Sequence, residues 1–274
     1  MLRPARLSLL LVGAVLVARP GWAQAFQGTV TLRTIRTNAA SLTEDEQLSP
    51  DKVFAVPLEQ VLAKARAGEL RVQAETAALE LKGSRMRSRT TTMTGANEMY
   101  VIADLQTGVF RSVAPAQRLY TEWTAEDLKK MVAEMKKMAS EGGAAESAEA
   151  ASLKLEPLGS TKIIAGFHCT GYRYTSGGTT GVGWLTKELA DVATAFQRMS
   201  DLVPGGDGKE RSNPWAPLVR YGFPCLAQQV QTHEGEVGDY EITELISVER
   251  RPVADDRFVV PTGFRKMTMP TSPP

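Results

Sequence analysis

Histidine and cysteine are scarce in this chain: His168, Cys169, Cys225 and His233 are all there are. Imidazole and thiolate are ready metal ligands, and His168 stands directly before Cys169. Adjacent residues of a strand point to opposite faces, so that pair cannot close on one ion from one strand. A site built from both histidines, with Glu234 or Glu236, needs the fold to join distant segments, and no spacing asks for it. No metal or cofactor is expected. No Gly-x-Ser-x-Gly elbow, Walker loop, His-Glu-x-x-His or Cys-x-x-Cys occurs either, and nothing singles out a nucleophile. The glycines between Gly177 and Gly183 lie between two strand-like runs and read as a hairpin. No enzyme is expected.

Two further patterns could bind a ligand. Arg85, Arg87 and Arg89 alternate along a strand-like run and could meet an anionic head group; the plainer reading is a solvated face. Leu128, Met131, Val132, Met135 and Met138 recur at helical spacing, as do Leu189, Val192, Phe196, Met199 and Leu202. Methionine adapts to varied shapes, so Met131, Met135, Met138, Phe196 and Met199 are the candidates for lining an apolar pocket. The plainer reading of both stripes is packed core.

The elements that carry these residues follow from periodicity and turn chemistry. Strands are expected at 26–37, 77–90, 99–105, 109–113 and 118–123, with tight turns that make a meander of the last three. A helix is expected over 57–67, opened by Pro57 and stopped by Gly68. The clearest helix is 124–139, with Thr124 as cap, Glu126 and Asp127 at its start and Lys136 and Lys137 near its end. A polar run at 141–152 reads as a flexible linker. Strands then return from 153 to 186, a second helix runs from Thr186 to about Val203, and strands follow at 223–233, 240–250 and 258–261. The polar, acidic run 39–50 reads as a loop and 267–274 as a tail.

The N-terminus is an address. Arg3 and Arg6 precede an apolar run from Leu7 to Val17, shorter than the roughly 20 residues a spanning helix needs. Pro20 and Gly21 break it, and Ala23-Gln24-Ala25 offers a cleavage site. Residues 1–25 are therefore expected to be a signal peptide, with the mature chain starting at Phe26 in the periplasm or the medium. No cysteine stands there for lipid attachment, and no later run approaches spanning length. An oxidising compartment permits a disulfide. Cys169 and Cys225 lie in parallel contexts, Gly166-Phe167-His168 and Gly222-Phe223-Pro224. A bridge would close a loop of about 57 residues and contribute roughly 4 kcal/mol at most. Unbridged, they would be two buried thiols.

The whole chain has 274 residues, 43% of them apolar and 23% charged, which argues against disorder and a multi-span membrane protein. Its formal charge is +1, and loss of Arg3, Arg6 and Arg19 leaves 29 basic against 31 acidic residues. No nucleic-acid partner is expected from such a balance. The element order predicts an α+β fold: one large curved antiparallel sheet with helices packed on its concave face.

Several segments resemble blocks of a family of exported bacterial proteins of unknown function. They are Leu81-Lys82-Gly83-Ser84-Arg85-Met86-Arg87 with Tyr100-Val101-Ile102-Ala103-Asp104, Ser160 to Tyr172, Val182 to Thr186, Gly222-Phe223-Pro224, and Asp256 to Lys266. The resemblance covers about 77–266 and implies a single domain over 26–266, folded like the lipoprotein-carrier proteins of the cell envelope as an incomplete barrel around helices, with 39–75 as an insertion. That family has no established activity, so no functional residue is carried over. Two functions remain. One is a non-enzymatic periplasmic binding protein holding an apolar ligand, an acyl chain or lipoprotein segment, between sheet and helices. The other is a structural or interaction module that binds another envelope protein through a strand edge or the Trp215 region.

Overall fold

The strand β1 (Gln27–Asn38) carries Val30, Leu32 and Ile35 through the middle of a twelve-stranded sheet. This computed structural model describes residues 26–42, 48–92, 99–141, 153–176, 178–202, 216–233 and 236–268. The expected signal peptide, Trp215 and the tail beyond 268 lie outside the described residues, as does the expected linker 141–152 except Glu141, which ends a helix.

On one side of β1 runs a meander of β2 (Gln73–Lys82), β3 (Arg85–Thr92), β4 (Tyr100–Asp104), β5 (Val109–Ala114) and β6 (Leu119–Thr124). On the other run β7 (Lys154–Ile164), β8 (Phe167–Ser176), β9 (Thr179–Thr186), β10 (Phe223–His233) and β11 (Glu236–Glu249). A short β12 (Arg265–Met267) joins β6 in parallel; the other pairings are antiparallel. The order is β12-β6-β5-β4-β3-β2-β1-β11-β10-β9-β8-β7, so the sheet is open. The large antiparallel sheet agrees with expectation, but the balance is mostly β rather than an even α+β mix.

The seam between β1 and β11 is fixed by paired side chains. Arg33 lies opposite Glu244 and bonds it at 2.5 Å, and Arg36 lies opposite Glu241 and bonds it too. Thr34 and Thr243 share a hydrogen bond of 3.2 Å between them. A one-residue slip would set Arg33 against Thr243 or Leu245 and Arg36 against Tyr240 or Ile242, so charge pairing selects the alignment.

Both sheet edges are blunt. β12 is 3 residues long. β7 carries Pro157, loses register with β8 between Pro157 and Thr161, and turns through Gly159 at φ +68°. Prolines and bulges of this kind oppose addition of a foreign strand.

Around the sheet, α1 (Pro50–Ala55) and α2 (Leu58–Arg66) bury Val53 and Val61 against Ile35, Val230, Tyr240 and Ile242. Each buried valine contributes roughly 1.5–3 kcal/mol. The C-terminal segment packs Val253 and Phe258 on Tyr100, Ile102 and Val113. The largest cluster joins Val30, Leu79, Met86 and Phe110 to Trp184, Phe196 and Phe223. The helix α3 (Ala125–Glu141) starts as the sequence indicates: Thr124 Oγ1 accepts the Asp127 N–H at 3.1 Å, and the Asp127 carboxylate accepts the Thr124 N–H at 2.8 Å.

Two segments differ from expectation. Residues 77–90 form two strands, because Gly83 at φ +63° turns the chain back and sets Lys82 against Arg85. The run 258–261 is not a strand; a 3-10 turn at Asp255–Phe258 buries the Phe258 ring, and pairing resumes only at Arg265.

Candidate functional site

The helix α4 (Ala190–Leu202) has a bulky side and a small one. Val192 and Phe196 face the core, with Phe196 edge-on to Phe223 at 5.2 Å between centroids. Ala190, Ala193, Thr194 and Gln197 recur on another side at helical spacing. The helix is held at its start by Asp191, whose carboxylate accepts from the Arg250 guanidinium at 2.5 and 3.1 Å. Burial alone would raise the Asp191 carboxyl; the Arg250 and backbone hydrogen bonds reverse this and leave it below the ordinary carboxylate range.

Opposite the small side lies the one-turn helix α5 (Ala216–Val219) and the turn that follows it. Tyr221 N–H donates to Leu218 O at 2.8 Å and Gly222 N–H to Val219 O at 3.2 Å. Gly222 takes φ +152°, and a Cβ there would stand 2.8 Å from the carbonyl oxygen of Thr186. Glycine thus lets the chain cross close to Thr186 and carries Arg220 and Tyr221 over to the start of α4.

Between the two elements is a groove of about 620 Å³, within the size range of small-molecule sites. Buried Ala193 and Val219 lie along it, and Tyr221, 42% exposed, forms part of its wall. Its charged lining residues are Lys187, Arg198 and Arg220, with no carboxylate among them. The nearby acids are engaged elsewhere: Glu188 with the His168 N–H at 2.8 Å, Asp191 with Arg250, and Asp201 with Gln197 at 2.9 Å. Among the described residues no ion pair involves Lys187, Arg198 or Arg220. Arg220 lies over the Tyr221 ring at 4.9 Å.

A second cavity, of about 310 Å³, opens where β1, β2, β10 and β11 meet. Its charges balance, Arg36 and Arg71 against Asp239 and Glu241. A chain of hydrogen bonds lies beside it: Tyr174 OH donates to Gln229 at 3.2 Å, Gln229 donates to Glu241 at 3.3 Å, and Arg36 donates to Glu241 and to Glu75. Burial, helped by the Glu241 charge, pushes the Tyr174 phenol above its ordinary range. The network is internally satisfied and reads as structural.

Of the residues expected to line an apolar pocket, the described ones sit in different surroundings. Met131 is 45% exposed, Phe196 is in the core, and Met199 is half-buried against that core. The side chains of Met135 and Met138 lie outside the described residues. None of the described cavities is lined by Met131, Phe196 or Met199. The basic strand face is largely consumed: Arg85 bonds Asp255 at 2.6 Å and Arg87 bonds Glu80 at 3.0 Å.

Cys169 and Cys225 are free and buried, not bridged. They lie on β8 and β10 with β9 between. Two strand spacings come to about 9.6 Å, beyond the roughly 7 Å between Cα atoms that a disulfide spans. Cys169 Sγ donates to Phe167 O at 3.4 Å and Cys225 Sγ to Phe223 O at 4.0 Å. The electrostatic influence of each thiol on the other lowers the Cys169 thiol and, with burial, raises the Cys225 thiol. His168 is at the surface, its ring 3.2 Å from Glu188, and the His233 side chain lies outside the described residues. Among the described residues no group of three His, Cys, Asp or Glu could hold a metal ion, and no helix is long and apolar enough to cross a membrane.

Sequence reasoning missed Lys187, Arg198 and Arg220. Lys187 precedes α4 and Arg220 follows α5, so no single helical period links the three.

A family described as a domain of unknown function, DUF4412, matches residues 69–264, more than two thirds of the chain. The match takes in β2 to β11 and leaves β1, α1 and α2 outside. No curated protein matches. Among solved structures, PNGF-II in a C2 crystal form is similar over 87% of this chain, at 10% identity and a TM-score of 0.34. Its P21 form is similar over 88%, at 9% identity and 0.32. The chain spans 30% and 31% of those structures. Likeness at that level carries nothing about chemistry.

Proposed function

The chain belongs to the DUF4412 family, and because that family has no assigned function we propose one from the groove: a non-enzymatic protein that holds the apolar chain of a ligand between α4 and the turn after α5. The carrying observation is the 620 Å³ groove with Ala193, Val219 and Tyr221 along it. Apolar surface removed from water on binding would supply the affinity. We read the protein as exported and cleaved near Ala25, with a carrier-like sheet bent around its helices. The site differs from the methionine-lined pocket that periodicity suggested. Docking of an envelope protein by strand addition is the less favoured reading, since Pro157 and the β7 bulge blunt the long edge.

The test is titration with an uncharged alkyl fluorophore. Ala190→Trp and Thr194→Trp, at exposed helix positions, fill the groove. Saturable uptake by the native chain, lost in both variants at unchanged melting temperature, is the expected result. No uptake by the native chain, or unchanged uptake by the filled variants, overturns the proposal.

A further inference from the structure

Resting on the proposal that the groove holds an apolar chain, we infer that its ligand ends in an oxyanion bound between Lys187 and Arg220, so that the ligand class is a long-chain carboxylate or a long-chain phosphate monoester. The argument starts at the crossing of Gly222 over Thr186, where the two backbones come within contact. Lys187 follows Thr186 directly and Arg220 precedes Gly222 by two residues, so both cations stand at this end of the groove. Both are exposed and line it. Neither has a carboxylate partner among the described residues.

Arg33, Arg36, Arg87, Arg111, Arg250 and Arg257 are each in ion pairs. Lys187 and Arg220 instead stand without a carboxylate partner among the described residues, at one end of an apolar trough. A guanidinium and an ammonium meeting one oxyanion give charge-assisted hydrogen bonds, stronger than neutral ones. The stacking of Arg220 on Tyr221 orients the guanidinium before a ligand arrives. From this end the chain would run along Ala190 and Ala193 toward Arg198, about 12 Å farther along α4 at 1.5 Å per residue.

The experiment compares hexadecanoate, lysophosphatidate, hexadecan-1-ol and inorganic phosphate as competitors of the alkyl fluorophore at low salt. The two oxyanion-headed chains should compete roughly tenfold better than the alcohol, a ratio worth about 1.4 kcal/mol. Lys187→Met with Arg220→Met should erase that preference and leave the alcohol's competition intact. Lys129→Met with Lys154→Met, both exposed and away from the groove, is the charge-matched control. Equal competition by alcohol and acid overturns the inference and leaves the proposed function standing. Phosphate competing as well as hexadecanoate also overturns it, because the chain would then be irrelevant. Failure of every chain to bind removes the proposed function first.

Discussion

The ring of Tyr174 lies across Gly181, its direct partner on the neighbouring strand: a Cβ at 181 would stand 2.2 Å from the ring. The next aromatic pair repeats the relation on the other face, where a Cβ at Gly171 would stand 2.8 Å from Trp184. These glycines are not turn residues. They clear space for rings laid over the strand, and the Tyr174 hydroxyl thereby reaches Gln229.

Gly181→Ala should therefore evict the Tyr174 ring and break the chain from Tyr174 through Gln229 to Glu241. Overpacking of this kind costs about 1–3 kcal/mol. Denaturant unfolding measures it. Gly181→Ala combined with Tyr174→Leu should recover part of the loss, since the smaller side chain relieves the clash. An alanine variant as stable as the native chain would show that the ring moves freely.

The carboxylate of Glu80 is shared by Arg87 on β3 and Arg257 in the C-terminal segment, at 3.0 Å and 2.7 Å. Burial would raise this carboxyl, but the two guanidiniums hold it below the ordinary range. A carboxyl lowered on folding stabilises the native state above its unfolded value, about pH 4.3 for glutamate, and loses that contribution as pH falls through the folded value. Glu80→Gln should cost about 1–3 kcal/mol at neutral pH by leaving Arg87 without its counter-charge. The gap to the native chain should shrink below about pH 4.3. Arg257→Ala, at the more exposed end, should cost about 0–1 kcal/mol. Unfolding curves from pH 3 to 8 test both, and a gap that is constant across this range would rule out the linkage.

The thiols of Cys169 and Cys225 should both be free in protein purified without reductant. Alkylation should add nothing to the folded chain and two groups after unfolding, read by mass spectrometry. A mass two hydrogens lighter and no alkylation would mean that β8 and β10 move together to bridge. In that case reduction would lower the melting temperature; with free thiols it should not.

Local structure was legible where the signal is local. Thr124 and Asp127 announce α3 because a capping box is a contact across three residues. Ser49 and Pro50 announced α1 in the same way, with Ser49 Oγ accepting the Lys52 N–H at 3.4 Å, yet the acidic surroundings made the segment read as loop. The turn at Gly83 was hidden because Leu79, Leu81, Arg85 and Arg87 keep a period of two straight through it. Strand order was not legible: nothing in the apolar alternation of Val30 to Ile35 says that the partner begins near residue 236. The groove was invisible for a related reason. Lys187, Arg198 and Arg220 look like ordinary surface cations until the crossing at Gly222 brings two of them to one end of a trough.

The place of β1 in the sheet also sets a timetable. Arg33 and Glu244, partners across the seam, are 211 positions apart. A chain that emerges from its N-terminus presents β1 early, and β2 can cover one of its sides soon after. The other side stays bare until nearly the whole polypeptide has appeared, so the assembly is slow to close. The first strand to be made is thus among the last to be sheathed, and an exposed strand edge recruits other chains. A chain that stops before β11 would not be a smaller version of this protein; it would keep an open seam through its centre.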